Sequence, residues 1–378
     1  MRIIELIVFI RRIGGSMTNK RWFQIGIGVL LALIIIKLLI DVKWVFSPLI
    51  IIGKAIFMPI LIAGVLFYIS KPLQSFLENR KVPRWGSMTI IFTLLVGVVW
   101  IAISLIGPPI VDQVNKLTNN LPSLINDSNR LITSLLEQSV DLPGWLKDGV
   151  DSITDSVNAI ALNFGKWFVQ FFQSVVQGAF VIVLVPFFFL FMLKDHEKFL
   201  PFISSFFSGK KKEWVVKTIR DIDGVLSLYI QGQILIAFIL AILLFIGYSI
   251  IGLNFALLLA VFALFMNVIP FFGPWIAFVP ALTIGFFQDP ILAIWVAVIT
   301  LIAQQTDSNL ITPNVMGKTL NVHPLTIITV LLAAGNIAGF LGILLGIPAY
   351  AVIKAVVSNI YDRRLEIKSA ATQSTKAN

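Results

Sequence analysis

The run QQTDSNLITPNVMGK, Gln304 to Lys318, sets two glutamines, two asparagines, two threonines, a serine and an aspartate between two long apolar stretches. Side chains of these types bind rather than cut or transfer. Carboxylate and amide oxygens can hold a small cation, and amides and hydroxyls can hydrogen-bond a neutral solute. On a helix Gln304 and Asp307 stand at i, i+3 and Gln305 and Asn309 at i, i+4, so each pair shares a face. Asp307 falls near the end of an apolar helix expected over 291–311, where a carboxylate costs about 2.5–3.5 kcal/mol on insertion scales. That cost calls for an offset: an amide network, a cation, a proton, or Lys318 beyond the turn. Desolvation favours a protonated carboxyl and a nearby cation an ionised one, which suits exchange of a proton for a metal cation. Pro313 is expected to end the helix, and Gly317 to let the chain turn and bring Lys318 back. The other reading places Asp307 in interfacial water and makes the run a polar loop cap.

Two apolar segments nearby refuse to be ordinary spans. Within 254–287, the stretch from Asn267 to Pro274 (NVIPFFGP) breaks any helix, because each proline lacks an amide hydrogen and clashes with the preceding turn. Its arms of about 14 residues reach roughly 20 Å as helix, against the ~30 Å of a hydrocarbon core. A re-entrant hairpin fits, its freed backbone groups facing protein or a wet cavity; two tilted full spans around a tight turn fit as well. Within 325–358, AAGNIAGFLGILLGIP offers Gly335, Gly339, Gly342 and Gly346 for close approach or local unwinding, and Asn336 as a polar handle. A second hairpin and one long kinked helix are both consistent with it. Paired, interrupted apolar segments of this kind point to a transporter's binding site.

The candidate path residues are Asn267, Pro270, Gly273, Pro274, Gln304, Gln305, Asp307, Asn309, Lys318 and Asn336. Secondary candidates are Gln231 and Gln233 in LYIQGQIL, which with Tyr229 read equally as interfacial anchors. Asp195 in LKDHEKF, beside Lys194 and His196, reads as a path residue or as a solvated helix cap. Lys54 snorkels and takes no role.

The elements that must position these groups follow from composition. The 378 residues are 58% hydrophobic and 13% charged, with mean hydropathy +0.94, about half the charge of a soluble domain. The fold class is an all-α polytopic membrane protein of about six to eight transmembrane helices, with one or two re-entrant or broken hairpins and a small extracytoplasmic helical part. Spans are expected at 22–40, 45–70, 88–108, 168–193, 230–252 and 291–311. Bases collect before the first, in 71–84, in 194–220 and after 361, which puts both termini in the cytoplasm. The opposite segment, 109–166, carries seven acids against four bases with apolar residues at helical spacing. It reads as two amphipathic helices broken at Pro143-Gly144, serving as a cap or gate or lying as a plain hairpin on the surface. The organisation is thus 1–108 with three spans, the 109–166 segment, 167–229 with the fourth span and a basic segment, a 230–361 core, and a disordered 362–378 tail. The N-terminus reads as an anchor without a cleavage site, with Met17 as an alternative start to Met1.

Exclusions are equally informative. No cysteine is present and the only histidines are His196 and His323, so thiolate chemistry and a His-rich metal site are not expected. No metalloprotease, nucleophile-elbow or P-loop motif occurs, so the chain is expected to be neither an enzyme nor an ATP-driven pump and to need no cofactor. The net charge of +10 reports topology, and no nucleic-acid partner is expected.

PFFFLFMLKDHEKF (186–199), NVIPFFGPW (267–275) and NLITPNVMGKTLNVHPL (309–325), with LFYISKPLQSFLENRKVPRW (66–85), resemble the bacterial autoinducer-2 exporter family over residues 22–361. The proline-glycine motif and the T-P-x-x-x-G-K block carry the likeness; Asp307 stands where a glutamate is expected in most members. The resemblance implies a secondary transporter of the bacterial cytoplasmic membrane. Its cargo would be an autoinducer-2-like signal or, in exchange for protons, Na⁺ or Li⁺, and its members can form homo-oligomers. A non-transporting membrane scaffold is the reading from another class.

Overall fold

The computed structural model describes residues 21–41, 43–138, 166–168, 170–172, 174, 179–317 and 323–376. Lys318 and the Pro143-Gly144 break lie outside the described residues. Every regular element among them is helical, and five helices are long and apolar enough to cross a membrane. The chain forms two compact units, Met1–Leu61 and Ile62–Asn378.

The first unit holds helix α1 (Arg21–Asp41) and the start of α2 (Lys43–Asn79). In α1 apolar residues point in every direction: Ile25, Leu30, Leu33, Ile35 and Leu38 are all exposed. Such a helix suits lipid rather than water.

The second unit continues with the rest of α2, α3 (Arg84–Gln138), α4 (Ala179–Ser205) and α5 (Gly209–Ile250). Then come α6 (Ala256–Met266), α7 (Phe272–Gln288), α8 (Pro290–Met316) and α9 (Pro324–Lys376). Two cores hold it. One gathers Ala63, Phe67, Met88, Ile91, Val185, Phe189 and Leu193 from α2, α3 and α4. Beside it Gln74 donates to the Leu193 carbonyl at 3.1 Å, and Arg84 reaches that carbonyl, His196 and Glu197. The larger core packs Tyr248, Leu258, Leu259, Phe262 and Met266 against Phe168, Phe172, Ala281 and Val296.

The third span does not stop at 108. Helix α3 runs through Pro108 and Pro109 for 55 residues, so 109–138 extends it and no separate helix begins there. Each proline forfeits one backbone bond, but tertiary packing holds the helix together beyond them. Leu117 is buried in the large core, and the Leu258 amide at the start of α6 donates to Gln113 at 3.0 Å.

Within 254–287, helices α6 and α7 form two arms of unequal length around a tight turn, as both readings of this segment require. Their 11 and 17 residues span roughly 17 and 26 Å at 1.5 Å per residue. Gln288 ties the open end, accepting from the Asn254 amide and donating to the Gly252 carbonyl. At the tip Phe271 adopts a left-handed φ of +65°, and the Gly273 amide donates to the Ile269 carbonyl at 2.9 Å. A Cβ on Gly273 would lie 2.0 Å from the Met266 carbonyl oxygen, so only glycine permits this turn.

Of the two readings for 325–358, the structure has the hairpin. Helix α9 breaks at Ala338 (φ −132°) and Gly339 (φ +59°). A Cβ on Gly346 would touch Ala334 at 3.2 Å, whereas residues twelve apart on one helix are about 18 Å apart. The chain has folded back on itself. A Cβ on Gly342 would lie 1.8 Å from the Ala334 carbonyl oxygen, the counterpart of Gly273 in the first hairpin.

Candidate functional site

A cavity of about 650 Å³ opens between the first hairpin tip, α5, α8 and both arms of α9. Helix α5 supplies Tyr229, Gln233, Ile236 and Leu240; the tip supplies Asn267, Pro270, Phe271, Pro274 and Trp275. Helix α8 supplies Thr300, Gln304, Gln305, Asp307 and Thr312, and α9 supplies Val330, Ile347 and Tyr350. Its size is that of a small-molecule site, apolar walls with a few convergent polar groups.

Asp307 is half-buried and is the one charged residue among the described lining. A five-residue π-helical turn, Asp307–Ile311, interrupts α8 there, and the Thr312 amide bonds the Asp307 carbonyl five residues back. In an α-helix, residue i+5 lies about 140° round the axis from residue i. The wider turn lets the Thr312 hydroxyl reach the Asp307 carboxylate at 2.7 Å, and such turns recur at functional sites. Pro313 therefore does not end the helix. It sits in the first turn of the α-helical piece Thr312–Met316, where a missing amide costs little, and the helix ends at Gly317 (φ +57°).

Several lining residues carry buried polar atoms with no hydrogen-bond partner among the described residues. They are the Tyr229 hydroxyl, both side-chain polar atoms of Asn267, and the Gln304 amide nitrogen. Gln233, one turn beyond Tyr229, donates to the Asn267 backbone carbonyl at 2.7 Å, which pins the tip to α5. Thr300 is satisfied by Tyr248 at 3.0 Å.

The structure thus brings Asn267, Pro270, Pro274, Gln304, Gln305, Asp307 and Gln233 to one cavity, with Gly273 shaping the turn above it. Other predicted residues stand elsewhere. Asn309 donates to the Gln305 backbone and side-chain oxygens and does not line the cavity. Asn336 is exposed and donates to the Leu332 carbonyl of its own helix. Gln231, two residues from Gln233, faces away, donating to the Tyr68 carbonyl and Ser227. Asp195 pairs with Lys198 at 2.6 Å, and that lysine holds its carboxyl below the usual carboxylate range. Asn309 and Asn336 bond carbonyls one turn back, as short polar side chains on helices readily do, while Asp195 is taken by the lysine three residues on and Gln231 ties α5 to α2.

Tyr229, Thr300, Thr312 and Tyr350 are lining residues absent from the sequence-based candidates. Thr312 lay inside the polar run, but only the π turn gives it its partner. Tyr229 had its signal in the four-residue spacing to Gln233.

Residues 27–362 match the family described as AI-2E family transporter. YueF of Bacillus subtilis (strain 168), provisionally named a transport protein, is 35% identical over 88% of this chain and 91% of its own length. YrrI of the same organism, named likewise, is 29% identical over 91% and 97%. PerM of Escherichia coli (strain K12), provisionally named a permease, is 26% identical over 72% and 78%.

Proposed function

Because the chain belongs to the AI-2E transporter family, we propose that it is a secondary transporter that exports a small polar solute of the autoinducer-2 kind through this cavity. Membrane transport by a multi-pass cell-membrane protein is what the family and the long apolar helices establish. The observation that carries the finer reading is the convergence of Asp307, Gln304 and Asn267 beneath a hairpin tip, in a cavity sized for a small molecule. The amides and hydroxyls would hold the cargo, and Asp307 would couple its movement to an ion gradient. Both hairpins have an arm too short to cross a hydrocarbon core, which favours re-entrant tips that alternately seal the cavity. The runs of Lys and Arg in 71–84, 194–220 and 363–368 favour cytoplasmic termini.

Exchange of Na⁺ for protons is the second reading, favoured by the oxygen pair of Asp307 and Thr312, since hard cations prefer oxygen ligands. Proteoliposomes containing wild-type protein or Asp307→Asn separate the readings. The expected result is autoinducer-2 efflux from wild type that falls at least tenfold in the variant, with folding unchanged. Na⁺-driven pH change without solute movement would replace the first reading by the second, and neither flux would defeat both.

A further inference from the structure

The buried polar groups without partners need a physical explanation, because buried donors and acceptors are nearly always satisfied. Asn267 is 2% exposed and Tyr229 6%, and together with the Gln304 amide nitrogen they present four unpartnered atoms, on three residues lining one cavity. They come from three elements that nothing local forces together: α5, the hairpin tip and the last α-helical turn before the π segment. Asn267 could have turned back to a helix carbonyl, as Asn309, Asn314 and Asn336 do. Its side chain does not, although its backbone carbonyl is occupied by Gln233.

We infer that Tyr229, Asn267 and Gln304 form an uncharged subsite that grips a hydroxyl-bearing, neutral cargo, while ion coupling is lodged on Asp307 and Thr312. The inference rests on the proposed function of the cavity and divides its labour. Its chemistry follows from the inventory of donors and acceptors. A phenol both donates and accepts, a carboxamide does each with a different atom, and the Gln304 nitrogen donates. A solute hydroxyl, also donor and acceptor, answers all three; a bare metal ion or a quaternary ammonium answers no donor. Flipping the Asn267 amide leaves both of its ends unpartnered, and flipping that of Gln304 puts an unpartnered acceptor where the donor stood. A site built this way discriminates sharply against analogues lacking the hydroxyl, since those leave its polar atoms unpaired.

The geometry also predicts an opposition between stability and binding. Replacing an unpartnered buried polar group with an apolar group of the same shape is neutral or stabilising in the empty protein. The experiment uses purified full-length protein, with ribose as neutral polyhydroxylated probe and tetramethylammonium as cationic control, read by thermal unfolding. Ribose raises the melting temperature of wild type and of Asp307→Asn. Tyr229→Phe and Asn267→Leu melt at or above wild type without ribose and bind it about tenfold more weakly, the loss of one well-placed hydrogen bond. Variants that melt below wild type and keep wild-type ribose affinity would make these groups structural and overturn the inference. A shift by tetramethylammonium but not ribose would overturn it in favour of a cation subsite. Loss of ribose binding in Asp307→Asn would remove the division of labour while leaving the transport reading intact.

Discussion

Replacing Gly273 with alanine puts a methyl carbon 2.0 Å from the Met266 carbonyl oxygen and 2.9 Å from the Asn267 Cα. Both neighbours are backbone, so no rotamer change relieves the overlap. The turn must open, at the expense of the 2.9 Å bond from the Gly273 amide to the Ile269 carbonyl. Overpacking of this kind costs about 1–3 kcal/mol and a lost hydrogen bond about 1 kcal/mol. The sum, roughly 2–4 kcal/mol, corresponds to a fall in melting temperature on the order of 5–10 °C. Gly342→Ala, with its Cβ 1.8 Å from the Ala334 carbonyl oxygen, should fall by a similar amount. Gly64→Ala is the control: nothing lies within 4 Å of that Cβ, and alanine gains up to about 1 kcal/mol in a helix interior. Tryptophan-fluorescence melts of the purified variants read all three. If Gly273→Ala and Gly342→Ala unfold together with Gly64→Ala, the two turns are not closed as described and the cavity loses its roof.

Arg84→Gln strips the contacts with Glu197, His196 and the Leu193 carbonyl, and should lower stability by about 1–3 kcal/mol in a denaturant or thermal melt. Tyr248→Phe removes the buried bond to Thr300 at 3.0 Å and should cost about 1 kcal/mol, with transport retained. Asp195 is held ionised by Lys198 first and by Lys194 and Arg84 beyond it. Its folded pKa is depressed, so the pair's small contribution is present at neutral pH and is lost as pH falls through that lowered value. A melt of Asp195→Asn should match wild type increasingly closely as the solution is acidified below about pH 4.

The helical membrane character and the break at Asn267–Pro274 were legible because long apolar runs and paired prolines leave few alternatives. The second hairpin was not. Gly335, Gly339, Gly342 and Gly346 recur at helical spacing and read equally as a close-packing stripe on a continuous helix. The break at Ala338–Gly339 and the approach of Gly342 and Gly346 to Ala334, contacts between two arms, decide it. The continuity of α3 through Pro108 and Pro109 was hidden for a similar reason, since the packing that overrides the prolines comes from α6, 145 residues away in sequence. In the polar run, side-chain types were visible but their partners were not. Ser308, Asn309 and Asn314 spend their bonds on carbonyls within α8, so about half of that polarity serves the helix, and Gln304, Asp307 and Thr312 serve the cavity.

Asp307 and its partner Thr312 line a cavity although they lie in a membrane helix, and their access to solute can be measured. The chain has no cysteine, so single replacements can be labelled without background. Thr312→Cys, in folded protein returned to liposomes, should react with a membrane-impermeant thiol reagent and be protected by autoinducer-2. Leu310→Cys, at a position 59% exposed but outside the cavity lining, should react far more slowly in lipid. Equal inertness at the two positions, or reaction at Thr312→Cys that no solute or ion slows, would mean that cargo does not pass Asp307 and Thr312.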